Sequence, residues 1–257
     1  MKKNILFACV FASLAATAAS SMAEDAKPDN ELTFNASLAS DYRYRGISQT
    51  RLEPALQGGA DFNNNPTGLY VGTWLSTIKW IKDTPGAGST PVEWDIYAGK
   101  KGQITNDVSY DVGVLGYVYA SNDLTQVGLK DANTLELYGQ LGYGPAYIKY
   151  SHAVTPLFGI VDSKNSGYLD IGANIEISEG LTLNLHAGYQ KVQGINSSAA
   201  TYSDYKVGVS KEFKDLGGVV ISLAAIGTNA DKTFYASPAN GKFMGKNSLV
   251  LIATKTF

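Results

Sequence analysis

The chain has 257 residues, and its 21 basic and 23 acidic side chains give a formal net charge of −2. This balance excludes a nucleic-acid partner, which would require a strongly basic face. No run of about 20 apolar residues occurs after the first two dozen residues, which excludes a later transmembrane helix.

The first 23 residues have the three parts of a secretory signal peptide. Two lysines follow the initial methionine, residues 5–19 are an apolar run, and Ser21 and Ala23 occupy the two positions that signal peptidase reads. We predict cleavage after Ala23 and a short N-terminal segment at residues 24–31. The single cysteine, Cys9, lies in the removed part, so neither disulfides nor thiolate metal sites are predicted in the mature chain.

Residues 32–257 alternate apolar and polar side chains in about twelve segments, most of them about 9 to 13 residues long. The alternation is clearest in residues 34–44, 92–98, 169–177 and 181–189. Successive side chains of a strand point to opposite faces, so each segment has one apolar and one polar face. Globular strands average about 5 or 6 residues, whereas a strand that spans a membrane needs about 9 to 11. The lengths therefore favour a membrane barrel over a secreted β-sandwich.

The connections between these segments alternate between short and long. The short connections are residues 63–68, 102–107, 142–145, 178–180 and 214–218, and the long ones include residues 79–91, 120–133, 155–166, 194–202 and 229–246. Short periplasmic turns and longer external loops are typical of outer-membrane barrels. We therefore predict an all-β fold, a single antiparallel up-and-down transmembrane β-barrel of about 12 strands in the bacterial outer membrane.

Four stretches in the first part of the predicted barrel have a distinctive sequence. They read SDYRYRGISQT (residues 40–50), PALQGG (54–59), GLYVGTW (68–74) and EWDIYAG (93–99). These stretches resemble the proteobacterial family Gcw_chp, also labelled TorF-family porins. The resemblance is specific over residues 38–100 and looser, though collinear, to the C-terminus. It implies an outer-membrane barrel and supplies no catalytic residues.

The polar faces of the strands, if assigned to the lumen, place nine acids and four bases inside the barrel: Asp41, Arg43, Arg45, Asp61, Glu93, Asp95, Asp111, Glu136, Lys149, Asp170, Glu176, Asp204 and Lys206. An Arg or Lys that faces lipid at mid-bilayer costs about 2 to 4 kcal/mol, which supports this sidedness. We predict ten residues as the pore-lining candidates: Asp41, Arg43, Arg45, Glu93, Asp95, Glu136, Lys149, Asp170, Glu176 and His186.

The first predicted strand carries two arginines near its outer end. On a continuous strand Asp41, Arg43 and Arg45 project inward one above another, and the two tyrosines between them project outward. Two guanidinium groups near a mouth suit a solute carboxylate or phosphate, which they bind in a bidentate manner. The alternative is that both arginines pair with acidic side chains of neighbouring strands, namely Glu93, Asp95 or Asp61.

Aromatic side chains are concentrated toward the ends of the predicted strands. A ring with a polar edge is favoured at headgroup depth, and we predict an interfacial belt made of Tyr42, Tyr44, Tyr70, Trp74, Trp80, Trp94, Tyr117, Tyr119, Tyr150, Tyr189 and Phe257. Phe257 also ends an amphipathic last segment. Such a terminal aromatic resembles the signal that hands outer-membrane barrels to their assembly machinery.

The sequence leaves three classes of function open. The acidic surplus favours a porin-like channel for passive diffusion of small hydrophilic solutes or ions, with a preference for cations. Twelve strands lie between filled barrels and open pores, so a filled barrel that binds a ligand or has a structural role is the alternative. An outer-membrane lipid hydrolase would need a Ser–His pair.

The hydrolase is the least favoured of the three. The only histidines are His152 and His186, and Ser151 points to the opposite face from His152. We predict no enzymatic activity, cofactor or metal. The predicted partners are outer-membrane lipid, small hydrophilic solutes or ions, and the barrel-assembly machinery acting on the strand that ends at Phe257.

Overall fold

The computed structural model describes residues 28–257, and the predicted signal peptide with its cleavage site lies outside the described residues. The strands in chain order are β1 (Asn30–Ala39), β2 (Arg43–Tyr44), β3 (Ile47–Ser48), β4 (Ala55–Asn64), β5 (Leu69–Thr77), β6 (Val92–Gln103), β7 (Val108–Val118), β8 (Thr134–Tyr143), β9 (Ala146–Ala153), β10 (Gly167–Ser178), β11 (Leu181–Lys191), β12 (Tyr202–Phe213), β13 (Val219–Thr228) and β14 (Ser248–Thr256). The helices are α1 (Trp80–Asp83) and α2 (Ser197–Ala200), and 3₁₀ turns cover Leu124–Val127 and Lys214–Leu216. Within residues 28–257 no helix has the length and apolarity that a membrane crossing requires.

Twelve of the strands form one closed antiparallel barrel, in which each strand pairs with the barrel strands before and after it in the chain. The barrel begins at Asn30, two residues ahead of its predicted start. The ring closes between β1 and β14, where Asn35 lies opposite Thr256 and Phe257 exchanges two backbone hydrogen bonds with Phe34. Closure leaves no free strand edge, so the ladder satisfies the backbone without water, as hydrocarbon requires. The predicted fold class and strand number are confirmed.

The two ends of the barrel differ in the length of their connections. Short turns join the strands at one end: residues 65–68, 104–107, 144–145, 179–180 and 214–218. Long loops join them at the other end: residues 40–54, 78–91, 119–133, 154–166, 192–201 and 229–247. The alternation predicted from the sequence is confirmed. The loop at residues 40–54 was not predicted, because its first residues, 40–45, were assigned to the first strand.

The prediction of one strand through residues 34–44 is wrong. Strand β1 ends at Ala39, and the chain then leaves the wall as a loop that folds into the barrel, which we call the lumen loop (residues 40–54). Its short strands β2 and β3 pair only with each other. They are joined by Arg45 and Gly46, whose φ angles are 45° and 79°. Positive φ at both central residues is the geometry of a type I′ hairpin turn.

The outer surface of the barrel carries large apolar side chains on every strand. Leu38, Leu137 and Ile171 are each at least half exposed. The residues that alternate with these outward positions along each strand face the interior. In water such a surface would be unfavourable, whereas in a bilayer it contacts acyl chains. The apolar and polar sides predicted for residues 92–98, 169–177 and 181–189 agree with this arrangement.

Tyrosine and glycine occupy opposed positions on neighbouring strands along the interior. Tyr138 lies opposite Gly113, and Tyr147 lies opposite Gly172. A Cβ atom on either glycine would lie 2.5 Å from the hydroxyl oxygen of its tyrosine, so only glycine leaves room for the ring. The same pairing joins Tyr97 to Gly72 across β5 and β6. Aromatic rings that cover cross-strand glycines stabilise sheets, and here they line the wall.

The predicted interfacial belt is wrong for seven of its eleven members. The members of the predicted belt that are exposed are Trp94, Tyr150, Tyr189 and Phe257. The others pack in an interior cluster made of Tyr42, Tyr44, Tyr70, Trp74, Trp80, Tyr117 and Tyr119. Edge-to-face contacts connect its rings, with centroids 5.4 Å apart for Tyr42 and Trp74 and 5.3 Å apart for Trp80 and Tyr119. Six of these aromatic residues therefore fill the lumen toward the long-loop end, and Tyr70 lies near the short-turn end of β5.

We predict that a charge on the outer face has a cost that depends on depth. Ile171 lies near the middle of β10, and Ile177 lies on the same face near its short-turn end. Ile171→Arg is expected to lower the free energy of unfolding by about 2 to 4 kcal/mol, and the matched control Ile177→Arg by about 0 to 1 kcal/mol. Chemical unfolding in lipid vesicles measures both. Equal costs at the two positions would contradict the membrane assignment of this surface.

Candidate functional site

The lumen loop crosses the inside of the barrel at its long-loop end. Its backbone bonds to two other long loops, with Ser48 N donating to Met244 O at 3.0 Å and Lys79 N donating to Gln49 O at 2.8 Å. Ile47 packs against Met244 and Tyr202 in an apolar cluster. The loop is thus held from several sides, and most of its hairpin is inaccessible to solvent.

Asp41 organises the fold of the loop itself. Its carboxylate accepts hydrogen bonds from Arg43 Nε at 2.5 Å, Ser48 Oγ at 2.6 Å and Thr50 Oγ1 at 3.1 Å. The Arg43 guanidinium then donates to the Gly46 carbonyl at 2.9 Å, to Met244 O in the loop at residues 229–247, and to Ser248 Oγ at the start of β14. Asp41 and Arg43 therefore form an ion pair inside the loop, which differs from the prediction of side chains stacked along a strand.

Arg45 links the tip of the hairpin to the wall. It donates to Glu136 Oε2 at 2.7 Å and to Gln190 Oε1 at 2.6 Å. Its guanidinium carbon lies 4.2 Å from the ring centre of Tyr168 and 4.7 Å from that of Tyr44. The side chains of Arg45 and Glu136 are only 7% and 2% exposed. Removal of one partner from such a buried pair typically costs about 3 to 5 kcal/mol, because the other charge is left uncompensated.

Two further wall carboxylates lie beneath the loop. Glu93 accepts hydrogen bonds from the hydroxyls of Tyr42 and Tyr119, each at 2.5 Å. Asp95 follows it on the interior face of β6 and is 3% exposed. Its Oδ1 atom finds no hydrogen-bond partner among residues 28–257. Together with Glu136 these two residues give the outer half of the lumen three acidic side chains.

Several other buried oxygens on the interior wall resemble Asp95 Oδ1 in their hydrogen bonding. The buried oxygens Gln57 Oε1, Asn184 Oδ1, Ser210 Oγ and Glu212 Oε2 also have no hydrogen-bond partner within the described part of the chain. A buried polar group without a partner costs about 1 to 3 kcal/mol. Water satisfies such groups at nearly the same enthalpy as a direct hydrogen bond. The wall is therefore chemically suited to a hydrated interior.

His186 is the centre of a polar cluster lower in the lumen. Its Nδ1 lies 2.8 Å from Asp170 and its Nε2 lies 2.7 Å from Asp204, which also accepts from the Tyr168 hydroxyl at 2.9 Å. Both imidazole nitrogens are therefore in contact with carboxylates. His152 lies on the outer face beside Tyr150.

The solvent accessibility of interior side chains changes along the barrel axis. Toward the short-turn end, the interior residues Asn35, Asp61 and Gln140 are half-buried, and Glu176 is exposed at the mouth. Toward the long-loop end, interior residues such as Glu136 are buried. The lumen is thus open to solvent at the short-turn end and closed by the lumen loop and the aromatic cluster at the other.

The backbone of the lumen loop is strained at three positions. Arg45, Arg51 and Leu52 have φ angles of 45°, 63° and 63°. A non-glycine residue in this region costs on the order of 1 to 3 kcal/mol and persists only where surrounding contacts hold it. Among those contacts are Arg51 Nε, which lies 3.1 Å from Asp83, and Lys79, which hydrogen-bonds Glu53 and lowers the pKa of that carboxyl.

The ten candidate residues fall into two groups. Seven lie on wall strands with their side chains on the interior face: Glu93, Asp95, Glu136, Lys149, Asp170, Glu176 and His186. The remaining three, Asp41, Arg43 and Arg45, lie in the lumen loop. Among residues 28–257 no group of three His, Cys, Asp or Glu side chains has the arrangement of a metal site.

Sequence reasoning missed two wall residues that contact Arg45. Tyr168 and Gln190 share the interior face with Asp170 and His186, respectively. The alternation in residues 169–177 and 181–189 identifies both positions if each segment is extended by one residue. The Arg45–Gly46 turn had a weaker signal, because Asn or Asp usually precedes the glycine of a type I′ turn.

Comparisons with known proteins agree with the fold. The family model described as a bacterial protein of unknown function (Gcw_chp) matches residues 23–257. The KdgM porin structure has 7% sequence identity and a TM-score of 0.52, and the match covers 88% of this chain and 97% of that chain. The NanC porin structure has 8% identity and a TM-score of 0.52, with 88% and 98% covered. No curated protein sequence matches. The shared barrel and the apolar outer face are those of an outer-membrane protein.

We predict that Gly46→Ala releases the lumen loop. A Cβ atom at Gly46 would lie 2.7 Å from Asp204 Cβ and would occupy a φ of +79°. The matched control Gly241→Ala has a φ of +69° with nothing within 4 Å of the new atom. Trypsin should cleave Gly46→Ala after Arg43 or Arg45 at least about fivefold faster than the wild type or the control, which follows from a strain of about 1 to 3 kcal/mol. Mass spectrometry locates the cuts. Equal cleavage in all three proteins would contradict the inserted position of the loop.

Proposed function

The chain belongs to the Gcw_chp family of bacterial proteins of unknown function, and we propose that it is a gated outer-membrane channel. It conducts small hydrophilic solutes or ions by passive diffusion, with a preference for cations. The observation that carries this proposal is the polar interior toward the short-turn end, where Asn35, Asp61 and Gln140 remain partly accessible to solvent. Outer-membrane lipid and the barrel-assembly machinery are the partners that the proposal implies.

The polar wall favours a channel over a permanently filled barrel. Gln57, Asp95 and Asn184 lie on different sides of the interior, and each has an oxygen that no group among residues 28–257 satisfies. In a barrel selected only for a stable interior, apolar side chains would be at least as favourable at such positions.

The lumen loop has the properties expected of a gate. It closes the outer half of the lumen, while the inner half stays accessible from the short-turn end. Its hairpin strands have only two residues each, and hydrogen bonds and one ion pair hold it to the wall. The rings of Tyr42 and Tyr44 also pack on wall aromatics. Strain at Arg51 and Leu52 is relieved when the loop leaves. Water can replace the polar contacts when the loop withdraws, whereas the buried rings of Tyr42 and Tyr44 stabilise the closed state.

The wall charges support a preference for cations. Once the loop withdraws, Glu93, Asp95 and Glu136 border the narrow outer half of the lumen. Rings of carboxylates favour cations in pores. The KdgM porin has been described in complex with oligogalacturonate, a polyanion. The carboxylates here would repel a polyanion, so we infer a different solute class for this chain.

A filled barrel that binds a ligand through its external loops is the second candidate function. The interior aromatic cluster favours it, because Trp74, Tyr117 and Tyr119 are all nearly inaccessible to solvent. In that case the loop stays inserted and the polar wall has a structural role only.

We predict that conductance separates the two functions. In a planar lipid bilayer, the folded wild-type protein should give discrete but infrequent openings, and Gly46→Ala should raise the open probability at least about fivefold through its strain of about 1 to 3 kcal/mol. Reversal potentials under a salt gradient should show a preference for cations. Gly241→Ala should behave as the wild type.

The cation preference is tested with a matched pair of substitutions, one inside the lumen and one outside it. Asp95→Asn removes a charge whose Oδ1 makes no hydrogen bond within the described residues, and it should lower the cation preference. Glu179→Gln removes a charge from a short turn outside the lumen and should leave it unchanged. Silent membranes from wild type and Gly46→Ala, with folding verified by heat-modifiable gel mobility, would overturn the channel and support the filled barrel.

A further inference from the structure

The wall residues around Arg45 form a compact site for a cation. Glu136 on β8, Tyr168 on β10 and Gln190 on β11 are all fixed in the sheet, and we call these three residues the cation subsite. Glu136 provides a carboxylate at 2.7 Å, Gln190 a carbonyl oxygen at 2.6 Å, and Tyr168 a ring face at 4.2 Å from the guanidinium carbon. These are the three kinds of contact that a guanidinium uses.

Arg45 occupies this site as a tethered group. It belongs to the turn of a hairpin whose strands have two residues each, whereas its partners belong to the wall. The main chain holds Arg45 at a φ of 45° to bring its side chain there. The wall contacts therefore hold a conformation that the residue would otherwise avoid.

We propose that the cation subsite recognises solutes that carry a guanidinium group, and that such a solute releases the lumen loop by displacing Arg45. The inference rests on the proposed channel for its consequence, which is opening of the pore. It does not rest on the channel for the binding itself. Glu136, Tyr168 and Gln190 lose one guanidinium and gain another, so their hydrogen bonds and ring contact are conserved.

The local charges favour a cation over an anion at this site. The guanidinium of Arg45 is already paired with Glu136, and the hydroxyl of Tyr117 lies 3.4 Å from the same carboxylate. Asp204 lies next along the wall, bonded to the Tyr168 hydroxyl. An anion would have to displace the wall carboxylate from Arg45, whereas a cation replaces Arg45 on a carboxylate that stays in place.

A tethered group competes with a free solute through its effective concentration, which is typically millimolar for a short flexible tether. The wild type should therefore bind a free guanidinium compound weakly. A variant without the Arg45 guanidinium should bind it more tightly, because the intramolecular competitor is gone.

The experiment is calorimetric titration of the refolded barrel in detergent with methylguanidinium chloride, against KCl at the same concentration. Arg45→Ala should bind one methylguanidinium at least about tenfold more tightly than the wild type. Arg45→Ala combined with Glu136→Gln should lose this binding. Lys214→Ala is the control for loss of a positive charge, because Lys214 pairs with Glu179 in an exposed short turn far from the lumen loop, and it should bind as the wild type does.

Three results would overturn the proposal. The first is equal affinity of the wild type and Arg45→Ala for methylguanidinium, and the second is undiminished affinity in the double variant. The third is a heat of titration with KCl equal to that with methylguanidinium chloride. If Arg45→Ala does not fold, Arg45→Gln provides the same comparison with a side chain that still donates to Glu136. Methylguanidinium binding by a protein that never conducts would contradict the proposed channel but support the cation subsite, so the two failures are distinguishable.

Discussion

Each strand of this barrel has hydrocarbon on one side, and every charge between the membrane boundaries must therefore point into a lumen of limited width. This constraint puts Glu93, Asp95 and Glu136 within one interior together with the polar cluster at His186. The interior wall has fewer basic than acidic side chains, so the wall alone does not neutralise these carboxylates. The cation that pairs with Glu136 is Arg45, which belongs to the lumen loop. The lumen is blocked where that loop enters it.

Glycine and tyrosine make the narrow interior compatible with this loop. Rings such as those of Tyr138 and Tyr147 lie against glycines of the next strand, so they follow the wall instead of crossing the lumen. The space that remains is occupied by the hairpin and its aromatic neighbours at the long-loop end. At the short-turn end the interior stays accessible. One asymmetric architecture thus combines an accessible inner half, a closed outer half and a loop whose backbone is strained.

Much of this fold could be predicted from alternation and loop length, because hydrocarbon outside and polar groups inside impose a strict period of two. The lumen loop could not be predicted in this way, because residues 40–45 alternate between polar and apolar side chains as a strand does. Its aromatic side chains also resemble those of a strand that faces lipid. Trp74 shows the same ambiguity: it was assigned to the membrane surface although it shares a face with Ser76. An aromatic-filled lumen and a lipid face look alike in composition, and only their pairing with neighbouring residues separates them.

The most direct test of the account is to lock the lumen loop in place. Ile47 and Met244 pack together in one apolar cluster, and the only native cysteine, Cys9, precedes the described residues. A variant with Ile47→Cys and Met244→Cys, oxidised to the disulfide, is recorded in a planar bilayer before and after addition of a reductant to the same membrane. The account predicts silence when the loop is tethered and cation-preferring openings after reduction. The same conductance in both states would contradict it, because the loop would then have no part in closing the pore.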